Sequence, residues 1–277
     1  MDGAGLEHRH HAIGAVRLSA ERPSRTYVPP RPLAVWAFAR YFRSQLARCF
    51  ASTRWASLTD TARWDFVAST LFVANHTNWW DGIFAFLLGR ELGLTFHILM
   101  DAAQLDRYRA FRSLGVLPLR RGQGRGAYDD LTAAGSCLRR GTGLWIFPQG
   151  ERRPQGERPA NFARGAAHLA IAHGKPVRIV PVAFRYPFVG EQLPEAFALV
   201  GHPRLFEPLR GAGRRSLTAL IERDAVITLD ALDALLAVEA HGSFRTLVAG
   251  RLSVNKRMDR FRHAVGLLRG PFEARNG

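Results

Sequence analysis

Residues 70 to 88 read Thr70-Leu71-Phe72-Val73-Ala74, then Asn75-His76-Thr77-Asn78-Trp79-Trp80-Asp81-Gly82, then Ile83-Phe84-Ala85-Phe86-Leu87-Leu88. Thr70–Ala74 is a short apolar run of strand-forming residues, and the apolar stretch Gly82–Leu92 has the length of a buried helix. The polar residues between them form a connecting loop, so the whole segment is strand, loop, helix. Moving outward, the alternation repeats. Thr95–Met100, Val116–Leu119, Leu144–Phe147 and Arg178–Arg185 have the composition of strands, and Ala102–Ser113, Ala127–Arg140 and Ala163–Ala172 that of the helices between them. Such alternation predicts βαβ units, hence an α/β fold with a mostly parallel central sheet flanked by helices. A further strand is expected at Ala196–Gly201. Helices near Ser216–Arg223, Leu229–Ala240 and Phe244–Leu268 close the chain.

In open α/β sheets ligands bind outside the carboxyl ends of the strands, which directs attention to His76 and Asp81. On a regular helix two residues five apart point about 140° away from one another, and these two side chains would not meet. With His76 in the loop and Asp81 in the first helical turn, the carboxylate can fold back to a ring nitrogen. That contact would fix the tautomer and leave the other nitrogen free to take a proton, as the base and its orienting carboxylate do in hydrolytic triads. The plainer alternative stays open on spacing alone: Asp81 caps the helix and His76 is a satisfied loop histidine.

Two more expected strand ends carry charge. Trp145-Ile146-Phe147-Pro148-Gln149-Gly150-Glu151-Arg152-Arg153-Pro154 places Gly150 where a tight turn is needed and two arginines where each can fork onto an anion. Gly115-Val116-Leu117-Pro118-Leu119-Arg120-Arg121 is a strand that runs into paired arginines. Any one of these is an ordinary solvated cluster more often than a site. Three of them at strand ends, one bearing a base, form a constellation.

Taken in order, these segments resemble the glycerophospholipid acyltransferases of the 1-acylglycerol-3-phosphate acyltransferase type. Asn75-His76 through Asp81 is similar to that family's histidine, four residues, aspartate block. Gly115 through Arg121 resembles its glycine, apolar stretch, arginine block. Phe147-Pro148-Gln149-Gly150-Glu151-Arg152 stands where the family usually has phenylalanine, proline, glutamate, glycine, threonine, arginine, and Ile179-Val180-Pro181-Val182 is similar to its proline-bearing strand. Phe162 to Ala166 carries a family-like glycine-alanine step. The resemblance spans roughly residues 70 to 185, with Gln149 and Glu151 as departures that alter the charge facing the acceptor. It implies an O-acyltransferase in which His76 is the general base and Asp81 orients it. The acceptor hydroxyl is then the nucleophile, and acyl-CoA or acyl carrier protein (acyl-ACP) the co-substrate. Neither a cofactor nor a metal is implied. Arg121, Gly150 and Arg152 would hold an anionic headgroup, with Arg120, Arg153 and Arg164 of second rank. The acceptor implied is a lysophospholipid such as 1-acylglycerol-3-phosphate. Because of the two departures, a lyso-ornithine lipid, a glycolipid or a hydroxylated isoprenoid is an alternative.

The rest of the chain concerns placement. From Leu33 to about Ser57, Val35, Phe38, Phe42, Leu46 and Phe50 recur at helical spacing with Arg40, Arg43, Arg48 and Arg54 interspersed. This predicts a basic amphipathic helix, packed on the core or lying in a membrane interface. The expected division is a mobile tail over 1–32, a membrane-associating helical segment over 33–60, and an acyltransferase domain with its C-terminal helices over 61–277. A formal charge of +16, from 39 lysines and arginines against 23 acidic residues, attracts polyanions of any kind. The partners expected are an anionic membrane surface, the lipid acceptor and the acyl carrier. No nucleic-acid-binding motif is present, so nucleic acid is not among them. No apolar run reaches the ~20 residues that span a bilayer, and no secretion signal is read at the N-terminus. A peripheral position on the cytoplasmic face of the inner or plasma membrane is expected. Cys49 and Cys137 fit neither a disulfide framework nor a zinc site. A hydrolase or thioesterase using the same pair on water is a competing class, and the chain lacks the Gly-x-Ser-x-Gly elbow of a serine enzyme.

Overall fold

A computed structural model describes residues 29–61, 69–158, 160–208, 213–251 and 258. Among the described residues nine strands form one sheet: β1 (Ser52–Ser57), β2 (Ser69–Ala74), β3 (Thr95–Asp101), β4 (Val116–Leu119), β5 (Thr142–Ile146), β6 (Val177–Arg185), β7 (Glu195–Val200), β8 (Arg204–Phe206) and β9 (Arg245–Ala249). Their order is β4-β3-β5-β2-β6-β7-β1-β9, with β8 pairing β6. The first five in that order run parallel, as the alternation of strands and helices predicts. β7 returns antiparallel to β6, and β9 lies antiparallel to β1. Every residue of β2 is buried, because a parallel strand in mid-sheet is covered on both faces, and its Leu71–Ala74 run is continuously apolar rather than alternating.

Helices cover both faces. α1 (Pro32–Cys49) and α2 (Asp81–Glu91) pack with Phe72, Phe96, Ile98 and Phe184 on one side. α4 (Arg125–Ala134), α5 (Gly165–His173) and α6 (Arg214–Ala237) pack with Leu71, Val73, Leu144 and Ile179 on the other. α3 (Ala102–Arg107) is a short connector. The consequence for the site is geometric: the carboxyl ends of β4, β3, β5, β2 and β6 emerge on one edge of the sheet.

Several expected elements differ. The helix expected over Leu33–Ser57 ends at Cys49, and Ser52–Ser57 instead forms β1, parallel to β7. No local periodicity could reveal that, since β1 is held by partners such as Glu195, 143 residues away, whose carboxylate accepts a hydrogen bond from Ser52. The stripe of α1 that bears Phe42 and Leu46 is turned to the core, with Phe42 edge-on to Phe86 and Phe111. That stripe is therefore packing surface, and the opposite face exposes Leu33, Trp36 and Tyr41.

Ala102–Ser113 divides at Tyr108 into α3 and a 3-10 turn, Arg109–Leu114. The helix expected over Ala127–Arg140 is α4 followed by a 3-10 turn at Gly135–Cys137. The helices expected at Ser216–Arg223 and Leu229–Ala240 are one, α6, because Leu217, Ile221, Ala225, Leu229 and Leu232 continue a single buried stripe. Within the expected helix Phe244–Leu268, Arg245–Ala249 is strand β9, and residues 252–257 and 259–268 lie outside the described residues. Of the expected tail, residues 1–28 also lie outside them. Pro29 to Arg31 is docked, with the Arg31 amide donating to the Ser113 carbonyl at 2.8 Å.

Gly115 starts β4 at φ 91°, where a Cβ would strike the Phe96 carbonyl oxygen and the His97 ring. Neither the backbone angle nor the space admits a side chain. Gly115→Ala is expected to lower the unfolding free energy by about 2–3 kcal/mol in urea titration. His97, buried beneath this turn, has its pKa lowered to about 4, chiefly by burial that disfavours the charged ring. The folded state then binds fewer protons than the unfolded chain between pH 6.5 and about 4. The stability it contributes is present above 6.5 and lost as pH falls through that window, on the order of 3 kcal/mol in full. His97→Leu should remove this share of the acid sensitivity in thermal melts taken from pH 7 to pH 4.

Candidate active site

The loop from Asn75 to Trp80 is arranged around one carboxylate. Asp81, the first residue of α2, has no solvent exposure. Its Oδ2 accepts hydrogen bonds from the amides of Thr77 (2.6 Å) and Asn78 (2.8 Å) and faces His76 Nδ1 at 2.8 Å. With the carboxylate accepting, Nδ1 holds the ring proton and Nε2 is left with its lone pair. Asp81 therefore bonds the loop before its helix and does not cap it: a short turn doubles the chain back and brings the two side chains together. Beyond the turn, Asn75 stitches β2 to β6, its amide donating to the Phe184 carbonyl and its oxygen accepting from the Phe184 amide.

Two neighbours fix the imidazole from other elements. The Phe147 ring, just past β5, stacks on the His76 ring at 4.5 Å between centroids and 15° between planes. The His76 amide donates to Gln149 Oε1 at 2.6 Å, and the His76 carbonyl accepts from the Arg153 amide at 2.8 Å. Gln149 therefore binds the histidine's own backbone. Its neutral side chain, a departure from the glutamate common at this position, serves here as an acceptor for an N–H.

Sequence reasoning missed Tyr186. Its hydroxyl, one residue beyond β6, donates to Asp81 Oδ1 at 2.6 Å. Burial, then the charge and hydrogen bond of Asp81, push the phenol pKa well up, so the group stays a donor. β2 and β6 pair with Ala74 opposite Val182, and this parallel register brings the residues beyond both strands together. The only signal in the sequence was that the proline-bearing strand runs on into a tyrosine.

A cavity of about 970 Å³ opens beside His76 along the strand ends. Its apolar walls include Phe42, Phe86, Phe96, Ile98, Phe111 and Val116, and its polar rim carries Asp101, Arg121, Glu151, Arg152 and Arg164. The predicted residues divide accordingly. His76, Arg121, Gly150, Arg152 and Arg164 line the cavity, and Asp81 lies behind His76. Gly150 has φ 74° and closes its turn on the Phe147 carbonyl.

Arg120 and Arg153 do not line it. Arg120 is committed to Asp130 through two parallel bonds of 2.8 Å and to the Gly126 carbonyl, tying β4 to α4. Successive residues leaving a strand point to opposite sides, so Arg120 and Arg121 cannot share one site. Arg153 pairs with Glu151 and Glu157 within its own loop. Arg121 faces the cavity with its Nε 3.1 Å from Asp101, whose pKa lies below its ordinary value: burial opposes that shift, and the bonds from Arg121 and from the amides of Gln104 and Ala103 outweigh it. Among the described residues Arg152 and Arg164 have no ion-pair partner, which leaves their guanidinium groups available to an anion. Burial pushes the Cys137 thiol up to about 11, and no metal-binding cluster occurs among the described residues.

Residues 66–185 match the family model described as Acyltransferase. The fold is similar to that of the 1-acyl-sn-glycerophosphate (LPA) acyltransferase PlsC from Thermotoga maritima, with a TM-score of 0.52 and 15% identity over 72% of this chain and 80% of that one. Comparison with curated proteins finds no match.

The division of the arginines predicts separable effects. Arg120→Ala should lower the thermal midpoint, since it leaves the buried Asp130 carboxylate without its guanidinium, and should leave ligand affinity alone. Arg152→Ala should leave the midpoint where it is and weaken binding of inorganic phosphate, read by calorimetric titration.

Proposed function

We propose that this chain, whose residues 66–185 form an acyltransferase-family domain, transfers a fatty acyl group from acyl-CoA or acyl-ACP to the hydroxyl of a lysophospholipid such as 1-acylglycerol-3-phosphate. The observation that carries this reading is the His76–Asp81 pair at 2.8 Å, with His76 on the wall of a cavity that is apolar inside and rimmed with arginine. In the reaction, Nε2 of His76 takes the proton from the acceptor hydroxyl as its oxygen bonds to the thioester carbonyl carbon. The oxyanion so formed collapses, the carbon–sulfur bond breaks, and the leaving sulfur takes the proton from Nε2 and departs as the thiol, which restores the neutral imidazole. Asp81 keeps the ring oriented and stabilises the imidazolium between the two steps. Arg152 and Arg164, with Arg121 poised against Asp101, bind the anionic headgroup and so align its hydroxyl. Acyl chains lie against Phe86, Phe96, Ile98 and Val116.

The acceptor itself is membrane-borne, and the exposed face of α1 suits a lipid surface. Leu33 is 76% exposed, Trp36 59% and Tyr41 55%, beside exposed Arg40 and Arg48. Aromatic rings favour the headgroup boundary and arginines favour anionic lipids. No helix among the described residues is long and apolar enough to cross a membrane. We place the protein peripherally, on the cytoplasmic leaflet.

One observation favours a second acceptor class. Glu151 stands on the cavity rim where the family resemblance has threonine, and it puts a carboxylate among Arg121, Arg152 and Arg164. An acceptor with a less anionic headgroup, such as a lyso-ornithine lipid, a glycolipid or a hydroxylated isoprenoid, fits that rim.

With a lysolipid and a labelled acyl thioester, His76→Ala is expected to lower transfer by ~10²–10⁴-fold with the fold intact by circular dichroism. Transfer at the wild-type rate would refute the assignment, and release of free fatty acid alone would make the protein a thioesterase. Presenting lysophosphatidic acid and the alternative lipids side by side, with mass spectrometry of the products, identifies the acceptor. Replacing Trp36 and Tyr41 with serine should weaken sedimentation with anionic vesicles, and added salt should weaken it further.

A further inference from the structure

Asp81 has two oxygens with unequal partners. Oδ2 receives the Thr77 and Asn78 amides and faces His76, whereas the hydrogen bond recorded at Oδ1 comes from Tyr186 at 2.6 Å. A carboxylate held at one oxygen only can swing about its Cβ–Cγ bond. A second donor, fixed on a different element, removes that freedom.

The phenol is itself immobile. Tyr186 is buried, its ring rests against Phe50 at 5.7 Å between centroids, and its amide donates to Gln155 Oε1 at 2.8 Å. Phe50 in turn meets Trp80, the residue preceding Asp81, edge-on. The tyrosine thus approaches the carboxylate from the sheet side while the loop amides and the imidazole approach it from the other.

We propose that Tyr186 is a positioning residue of the acyl-transfer site: its buried hydroxyl locks the Asp81 carboxylate so that Oδ2 is presented to His76 Nδ1. It touches no substrate, since it does not line the cavity, and it acts through Asp81 on His76. The charged groups on the cavity rim, Asp101, Arg121, Glu151, Arg152 and Arg164, belong to other loops and make no recorded bond to Asp81. They give the carboxylate no substitute donor. This inference rests on the acyl-transfer reading for its consequence in turnover, but not for its consequence in structure.

Tyr186→Phe keeps the ring and removes only the donor. In steady-state assays kcat is expected to fall by roughly tenfold with KM for both substrates unchanged, because the lost interaction orients the base and does not bind substrate. A second measurement needs no turnover. In the wild type the Nδ1 proton of His76, shielded by its bond to Asp81, should give a downfield proton resonance, assigned by its loss in His76→Ala. In Tyr186→Phe that signal should broaden or vanish as the carboxylate gains freedom. A Tyr186→Phe protein with wild-type kcat and an unchanged resonance would overturn the proposal. A wild-type protein that transfers no acyl group but shows the resonance change would overturn the assigned reaction and leave the role of Tyr186 standing. Should Tyr186→Phe melt below the assay temperature, the resonance is read at a lower temperature, where the folded fraction is restored.

Discussion

Asp81 is a carboxylate without access to water, and burying such a group is tolerable only where hydrogen bonds replace its hydration. Here four donors do so: two amides of its own loop, an imidazole and a phenol. An unpaired buried polar group costs about 1–3 kcal/mol, and more when it is charged. The turn at Thr77 and Asn78, the rotamer of His76 and the seat of Tyr186 are therefore determined together. The orientation of the histidine is a by-product of satisfying the carboxylate. The same bonds that make the loop stable set the tautomer of His76 and leave its Nε2 with a lone pair.

This arrangement depends on the sheet. Parallel strands deliver their carboxyl ends to one edge, so β2 contributes His76, β5 contributes Phe147 and Gln149, β6 leads to Tyr186, β4 leads to Arg121, and β3 ends in Asp101. β2, β5 and β6 are locked by burial along almost their whole length, and a group placed just past their ends inherits that rigidity. The side of the cavity away from the charges is made by α1 and α2, whose phenylalanines fill one face of the sheet while leaving room for an apolar chain. The cavity is thereby divided between an apolar interior and an arginine-bearing rim.

The charge of the molecule divides in a similar way. Much of it is structural: Arg120 binds Asp130, Arg204 binds Asp224, and Arg185 binds Asp233, each joining a strand to a helix or an adjacent turn. Arg152 and Arg164 face the cavity without acidic partners among the described residues, and this distinguishes them from the general excess of +16. Abundance of arginine thus says little about which guanidinium faces the cavity; its place relative to the strand ends decides it.

By itself the sequence determined the fold class and pointed to the contact between His76 and Asp81. Apolar period, strand length and the Asn75 to Asp81 spacing are local properties, and the segments that matter are short and contiguous. It also pointed to Arg121, Arg152, Arg164 and Gly150, through their position after expected strands. Only the tertiary structure decided that Ser52–Ser57 is a strand, that Arg120 and Arg153 serve the scaffold, that Gln149 holds the His76 backbone, and that Tyr186 completes the carboxylate's shell. Each of these turns on a partner dozens of residues away or on which side of a strand a residue leaves, and strand pairing between distant segments leaves no periodic trace in either segment alone.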